Sequence, residues 1–216
     1  MDSFRLCVAF GPLALYLLMI GLINLSRRPF LVTGARDLAA LGVGVSGLLL
    51  VGPIELLMPE QAAARFGWYV WLLLATMYGL TLSLAVLLSR PRLVIYNISA
   101  SELRPVLAQL TELDPEARWA GSSLVLPRLQ VELHVETASP MRNVSLVASG
   151  DDQSYAGWRV LESELRTRLK KIERLPNPWG LGWLIVALGM MGRMGWEMAT
   201  NSEAIAQAFY EMMRLQ

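Results

Sequence analysis

Four stretches of this sequence are longer and more apolar than the core segments of a water-soluble domain, and they limit what it can become. Residues 6–25 carry no charge and are followed by Arg27 and Arg28. About 20 helical residues cross a hydrocarbon core of ~30 Å. A signal peptide is the competing reading, but the run is long and no small-x-small cleavage pattern follows it. Residues 38–57 form the second run, with Glu55 near its end. Residues 66–88 form the third. It opens with Trp68, Tyr69 and Trp71 and is followed by Arg90 and Arg92, in keeping with an aromatic belt and a basic flank. Residues 178–197 form the fourth. It is glycine-rich, bracketed by tryptophans and interrupted by Arg193, so a re-entrant or interfacial segment is its alternative. Composition agrees: 54% of residues are hydrophobic and 17% charged, where a soluble domain has roughly a quarter charged.

Between the third and fourth runs the character changes. Residues 93–174 are polar and patterned like a small folded domain. The stretch from Arg92 to Ile98 is rich in β-branched and aromatic residues, a strand signal. Ser99 and Glu102 have capping-box spacing, and Leu103, Leu107 and Leu110 recur behind them at helical spacing. Pro105 fits only near the start of that helix, and Asp114-Pro115 ends it. Short strands are expected around Trp119 and over 124–126, turned by Gly121-Ser122. Leu129, Val131, Leu133 and Val135 alternate with Gln130, Glu132, His134 and Glu136, the pattern of a half-buried antiparallel strand. Residues 142–149 are its expected partner, after a turn at Ser139-Pro140. Beyond a break at Gly150-Asp151-Asp152, the residues Trp158, Leu161, Leu165, Leu169 and Ile172 form one face of a long helix. The order is strand, helix, three or four strands, helix. That predicts an α+β domain of ~80 residues with helices on one sheet face.

Basic residues predict which way the chain faces. Arg27, Arg28 and Arg36 occupy the first loop, whereas the second short loop has Arg65 beside Glu60. Arg90, Arg92, Arg166, Arg168, Lys170, Lys171 and Arg174 flank the polar domain. Loop one and the domain lie two crossings apart and share a side. The basic excess assigns that side to the cytoplasm of a multi-pass plasma (inner) membrane protein, with both termini outside. Two glycosylation sequons, Asn97-Ile98-Ser99 and Asn143-Val144-Ser145, would argue for a lumenal domain. Both fall in or beside predicted strands, and the arginine asymmetry outweighs them. Anionic headgroups account for the basic run Arg166, Arg168, Lys170, Lys171 and Arg174.

One motif invites a different reading. Gly42, Gly44 and Gly47 have the G-x-G-x-x-G spacing of a dinucleotide-binding turn. That turn needs a strand before it and a helix starting within it, so that backbone N–H groups reach a pyrophosphate. Here Arg36-Asp37-Leu38-Ala39-Ala40 precedes it and apolar residues run on through Val51, so no dinucleotide is expected. Small residues on one helix face are the plainer reading. Ala40, Gly44 and Gly47 form one stripe, and Ala75, Gly79 and Ser83 another. These are expected to pack on each other or on a second copy of the chain.

Candidate chemistry is sparse. Glu55 and Arg193 are the charges inside apolar runs, expected to pair near the outer interface; snorkelling, or pairing of Arg193 with Glu197 one turn on, are the alternatives. The single histidine, His134, lies on the polar side of a strand with Glu132 and Glu136. It reads as a hydrogen-bonded sheet residue. One cysteine, Cys7, and one histidine cannot make a Cys/His metal cluster or a disulfide framework. No catalytic set, metal site or cofactor is expected, and a net charge of +1 gives no case for nucleic acid. Residues 201–216 are amphipathic, with Ile205, Phe209, Met212 and Met213 on one side, suited to a membrane surface or a partner. The expected fold is therefore an α-helical polytopic membrane protein of about four transmembrane helices with an inserted small α+β domain. The expected role is non-catalytic, a membrane-anchored interaction or assembly module contacting lipid and a protein partner through residues 93–174. A small oligomeric transporter or channel subunit using Glu55 and Arg193 is the alternative.

Overall fold

The computed structural model describes residues 3–54, 67, 69–112, 114–138, 142–150, 153–173 and 175–213. Its elements run α1 Ser3–Leu25, β1 Phe30–Thr33, α2 Gly34–Leu49 with a π turn at Leu50–Ile54, α3 Tyr69–Leu88, β2 Arg92–Tyr96 and α4 Ala100–Ala108 with a 3-10 turn at Gln109–Glu112. There follow β3 Arg118–Ala120, β4 Ser123–Leu126, β5 Val131–Ala138, β6 Asn143–Ala148, α5 Tyr155–Leu169, α6 Trp179–Thr200 and α7 Ser202–Met213. The chain forms two compact units. A helical unit comprises Met1–Ile20, Leu38–Leu87 and Gly182–Gln216; a sheet unit comprises Gly21–Asp37 and Leu88–Leu181.

The sheet unit is built on six antiparallel strands in the order β1-β2-β6-β5-β4-β3. Five of them fall where alternation and turn residues place them. The sixth, β1, comes from the loop after α1 and pairs Leu31 with Ile95 and Val32 with Val94. Alternate residues of each strand point to one face, where Leu31, Leu93, Ile95, Leu124, Leu133 and Leu146 meet Leu103 and Leu107 of α4 and Trp158, Leu161 and Leu165 of α5 in one core.

Local chemistry fixes both covering helices. The Ser99–Glu102 capping box starts α4, and Ser154 Oγ accepts the Gly157 N–H at 3.2 Å to start α5. Gly157 also lets α5 lie close on the sheet: a Cβ there would sit 1.9 Å from the Leu129 carbonyl oxygen. Asp114 is fully buried and structural, accepting the backbone N–H of Glu116 at 3.1 Å and of Arg128 at 2.8 Å.

The helical unit is assembled differently. Among the described residues, three helices are long and apolar enough to cross a membrane: Ser3–Leu25, Gly34–Gly52 and Tyr69–Leu88. The expected fourth, α6, is a 22-residue helix that is not among these three. A single stripe of α3, from Val70 through Leu74, Tyr78 and Leu82 to Val86, is buried or half-buried. Leu73, Met77, Leu80, Leu84 and Leu87 point outward.

Candidate functional site: a groove at an open sheet edge

The sheet unit carries an apolar groove of about 680 Å³, within the usual size of ligand sites. One wall is α4, whose Leu103 and Val106 are buried while Ala100, Ser101 and Arg104 face the groove beside Leu107. The capping box holds that wall in place. Glu102 accepts the Ser99 N–H at 2.9 Å and pairs with Arg142 at 3.2 Å. Trp119 of β3 faces Arg104 across the groove, with the guanidinium carbon 5.5 Å from the ring centroid, inside cation–π range. Gly121, at φ +66°, makes the turn between β3 and β4.

The remaining wall is backbone. In β5, even-numbered residues bond towards β6, since Ser149 N–H donates to the Glu132 carbonyl at 2.9 Å. Odd-numbered residues bond the other way, since Val135 N–H donates to the Ser122 carbonyl at 2.9 Å. On that side β4 accompanies β5 only from Val131 to His134. Thr137 is the next odd residue and lines the groove. Its N–H and C=O therefore point at an edge along which no strand runs among the described residues. Arg104 has no carboxylate partner among the described residues.

The residues singled out in the sequence are dispersed. Gly44 and Gly47 do pack, but on α1: a Cβ at Gly44 would lie 2.8 Å from Tyr16 and one at Gly47 2.0 Å from the Val8 carbonyl. Ala40 and Gly44 line a shallow apolar groove with Gly11, Pro12 and Tyr16 of α1. The contact to α3 uses Gly42 instead, whose carbonyl accepts the Tyr78 hydroxyl at 2.6 Å and whose Cα faces Leu82. Of the two packings expected of the stripes, on each other or on a second copy of the chain, the described residues show Gly44 and Gly47 on α1 instead of on Gly79. Ala75, Gly79 and Ser83 are exposed, and nothing lies within 4 Å of where a Gly79 Cβ would be. The fingerprint glycines sit more than two turns inside α2, which begins at Gly34 directly after β1.

Arg193 pairs with Glu197 on its own helix at 2.5 Å, and Ser3 Oγ donates to that carboxylate at 2.7 Å. Glu55, its other proposed partner, lies outside the described residues. Of the basic run, Arg168 ties α5 to the turn after α4, meeting Glu112 at 3.0 Å and Glu164 at 2.7 Å. Those two hydrogen bonds, Glu112 first, raise its pKa, so the guanidinium keeps its charge at any workable pH. Arg166 pairs with Glu162 at 2.8 Å. Lys170 and Lys171 are exposed, and Arg174 lies outside the described residues.

His134 Nδ1 is within 3.1 Å of Ser123 Oγ and 3.3 Å of Ser122 Oγ. Nothing among the described residues bonds its Nε2. Asn97, in the first sequon, is fully buried at φ +60° and donates to the Ser26 carbonyl at 2.6 Å, which closes that amide to a glycosylating enzyme in the folded chain.

Sequence reasoning missed two features of this unit. Phe30-Leu31-Val32-Thr33 did carry a strand signal, though a short one between arginines. The groove carried none, because residues 104, 119 and 137 are distant in sequence and nothing in their spacing marks them as neighbours. Comparison with protein-family models, curated proteins and solved structures gave no match.

Proposed function

We propose that this chain is a multi-pass inner-membrane protein whose sheet unit, on the cytoplasmic side, binds a partner without catalysing a reaction. The observation that carries the membrane half is the outward face of α3, where Leu73, Leu80, Leu84 and Leu87 are each more than half exposed. Apolar surface of that extent requires an apolar neighbour, and a bilayer supplies one along the length of a 20-residue helix. Sidedness draws support from the β1–β2 ladder. A segment after α1 and a segment after α3 pair in one sheet, which requires an even number of crossings between them. The basic residues of loop one and the domain flanks favour the cytoplasm. In this reading α6 makes the fourth crossing, with Trp179, Leu181, Ile185, Val186 and Trp196 outward, and Lys170 and Lys171 contact anionic headgroups.

The partner-binding half rests on the groove. Its polar groups are a guanidinium, serine hydroxyls and strand-edge backbone, which are groups that hold a ligand. The transport alternative draws less support, since Arg193 is satisfied within its own helix.

Two measurements test the proposal. Alkaline carbonate extraction of membranes should leave the chain in the pellet; release into the supernatant would overturn the membrane assignment. A mild-detergent pull-down with native mass spectrometry should recover a stoichiometric companion that Trp119→Ala loses. A homo-oligomer without a companion would favour the transport reading.

A further inference from the structure

We infer that the groove receives an extended acidic peptide as an added strand on the open half of β5. The inference rests on the reading of the sheet unit as a partner-binding module and names the chemistry of what it binds. Three observations converge. Thr137 presents one donor and one acceptor, spaced for a strand, on the side of β5 that β4 leaves uncovered. A sheet edge of this kind pairs with another chain unless something blunts it, and strand addition at such an edge is an established mode of peptide recognition. Beside the edge, Val135, Leu107 and Trp119 give an apolar floor. An added strand turns alternate side chains towards such a floor. Finally, Arg104 places one positive charge over Trp119 in the same groove, and no carboxylate among the described residues neutralises it. A carboxylate on the incoming strand completes both the ion pair and the stacked arrangement. A helix cannot use the Thr137 backbone groups, because its own are already bonded.

The backbone geometry supplies a selective test. Thr137→Pro removes only the N–H on the open side, leaving the bonds to β6, which even-numbered residues make, in place. The full chain in nanodiscs is screened against a displayed library of random hexapeptides, as wild type, Thr137→Pro and Arg104→Glu. Circular dichroism confirms that each variant keeps its strand content. Wild type is expected to enrich peptides with alternating apolar residues and an Asp or Glu, with binding at least tenfold weaker in each variant. Enrichment that is indifferent to Thr137→Pro overturns strand addition while leaving the groove as a partner site. Enrichment of basic peptides, or binding unaffected by Arg104→Glu, overturns the acidic assignment. No enrichment over empty nanodiscs overturns the inference and the partner-binding reading together.

Discussion

Leu161 and Leu165 in α5 are completely buried, whereas Leu84 and Leu87 in α3 are 55% and 79% exposed. The residue type and the secondary structure are the same, yet the burial is opposite. In the core of the sheet unit the chain itself provides the neighbours of its leucines, and each buried side chain contributes about 1.5–3 kcal/mol. In α3 one stripe meets the chain and the rest of the circumference does not. The hydrophobic effect closes the first unit from within. The second is completed by its surroundings, and under the membrane proposal those surroundings are lipid.

The sharpest way to break this comparison is one glycine substitution in each unit. Gly157→Leu forces a side chain into the Leu129 carbonyl and should cost about 3 kcal/mol or more, exposing the sheet unit to limited proteolysis. Gly79→Leu, with nothing within 4 Å, should leave the thermal midpoint in detergent unchanged. A large loss there would mean that the open face of α3 is packed on another protein surface, and the contrast between the units would fail.

Charge on the open face should come next in size. Leu80→Arg places a guanidinium near the middle of α3 and should oppose insertion by about 2.5–3.5 kcal/mol. Reporter tags on either side of the helix would record the loss of a crossing; full retention of both crossings would argue that this face meets water. Gly47→Leu sharpens the picture inside the helical unit. It forces α2 away from the Val8 carbonyl and should lower detergent stability by about 1–3 kcal/mol, in contrast to the silent Gly79→Leu. The smallest loss belongs to Glu112→Ala. Glu112 is 71% exposed, so losing its ion pair with Arg168 should cost about 1 kcal/mol or less, shrinking further at high salt. A larger and salt-independent cost would mean that the Glu112 side chain acts through packing.

The sheet unit was largely legible because its signals are local. Period-two alternation placed β5, Ser99 and Glu102 marked the start of α4, and the 158–161–165–169 spacing gave the buried face of α5. What escaped depended on distance along the chain. Residues 30–33 carry only a short strand signal, and their partner lies beyond two apolar helices. The neighbour of the Gly44–Gly47 face is likewise set by residues at a distance. Small residues invite close approach, but which helix accepts depends on shape elsewhere, here Tyr16 and the Val8 carbonyl. The fourth apolar run, for which its glycines and Arg193 leave a re-entrant or interfacial segment as the alternative, forms a helix that is not among the three apolar enough to cross a membrane.

The strand from the first loop also imposes an order on biosynthesis. β1 emerges about 60 residues ahead of β2, a wait of ~3–12 s at ~5–20 residues per second. Throughout that interval its edge is unpaired while two apolar helices are still being placed. Under the membrane proposal, a chain that threads them with the first loop on the other side from β2 cannot complete the ladder. Its β2 then stays a bare edge, with Leu93 and Ile95 uncovered where Thr33 and Leu31 should sit. Under the membrane proposal, the sheet closes only in molecules whose two helices are threaded so that the first loop and β2 share a side.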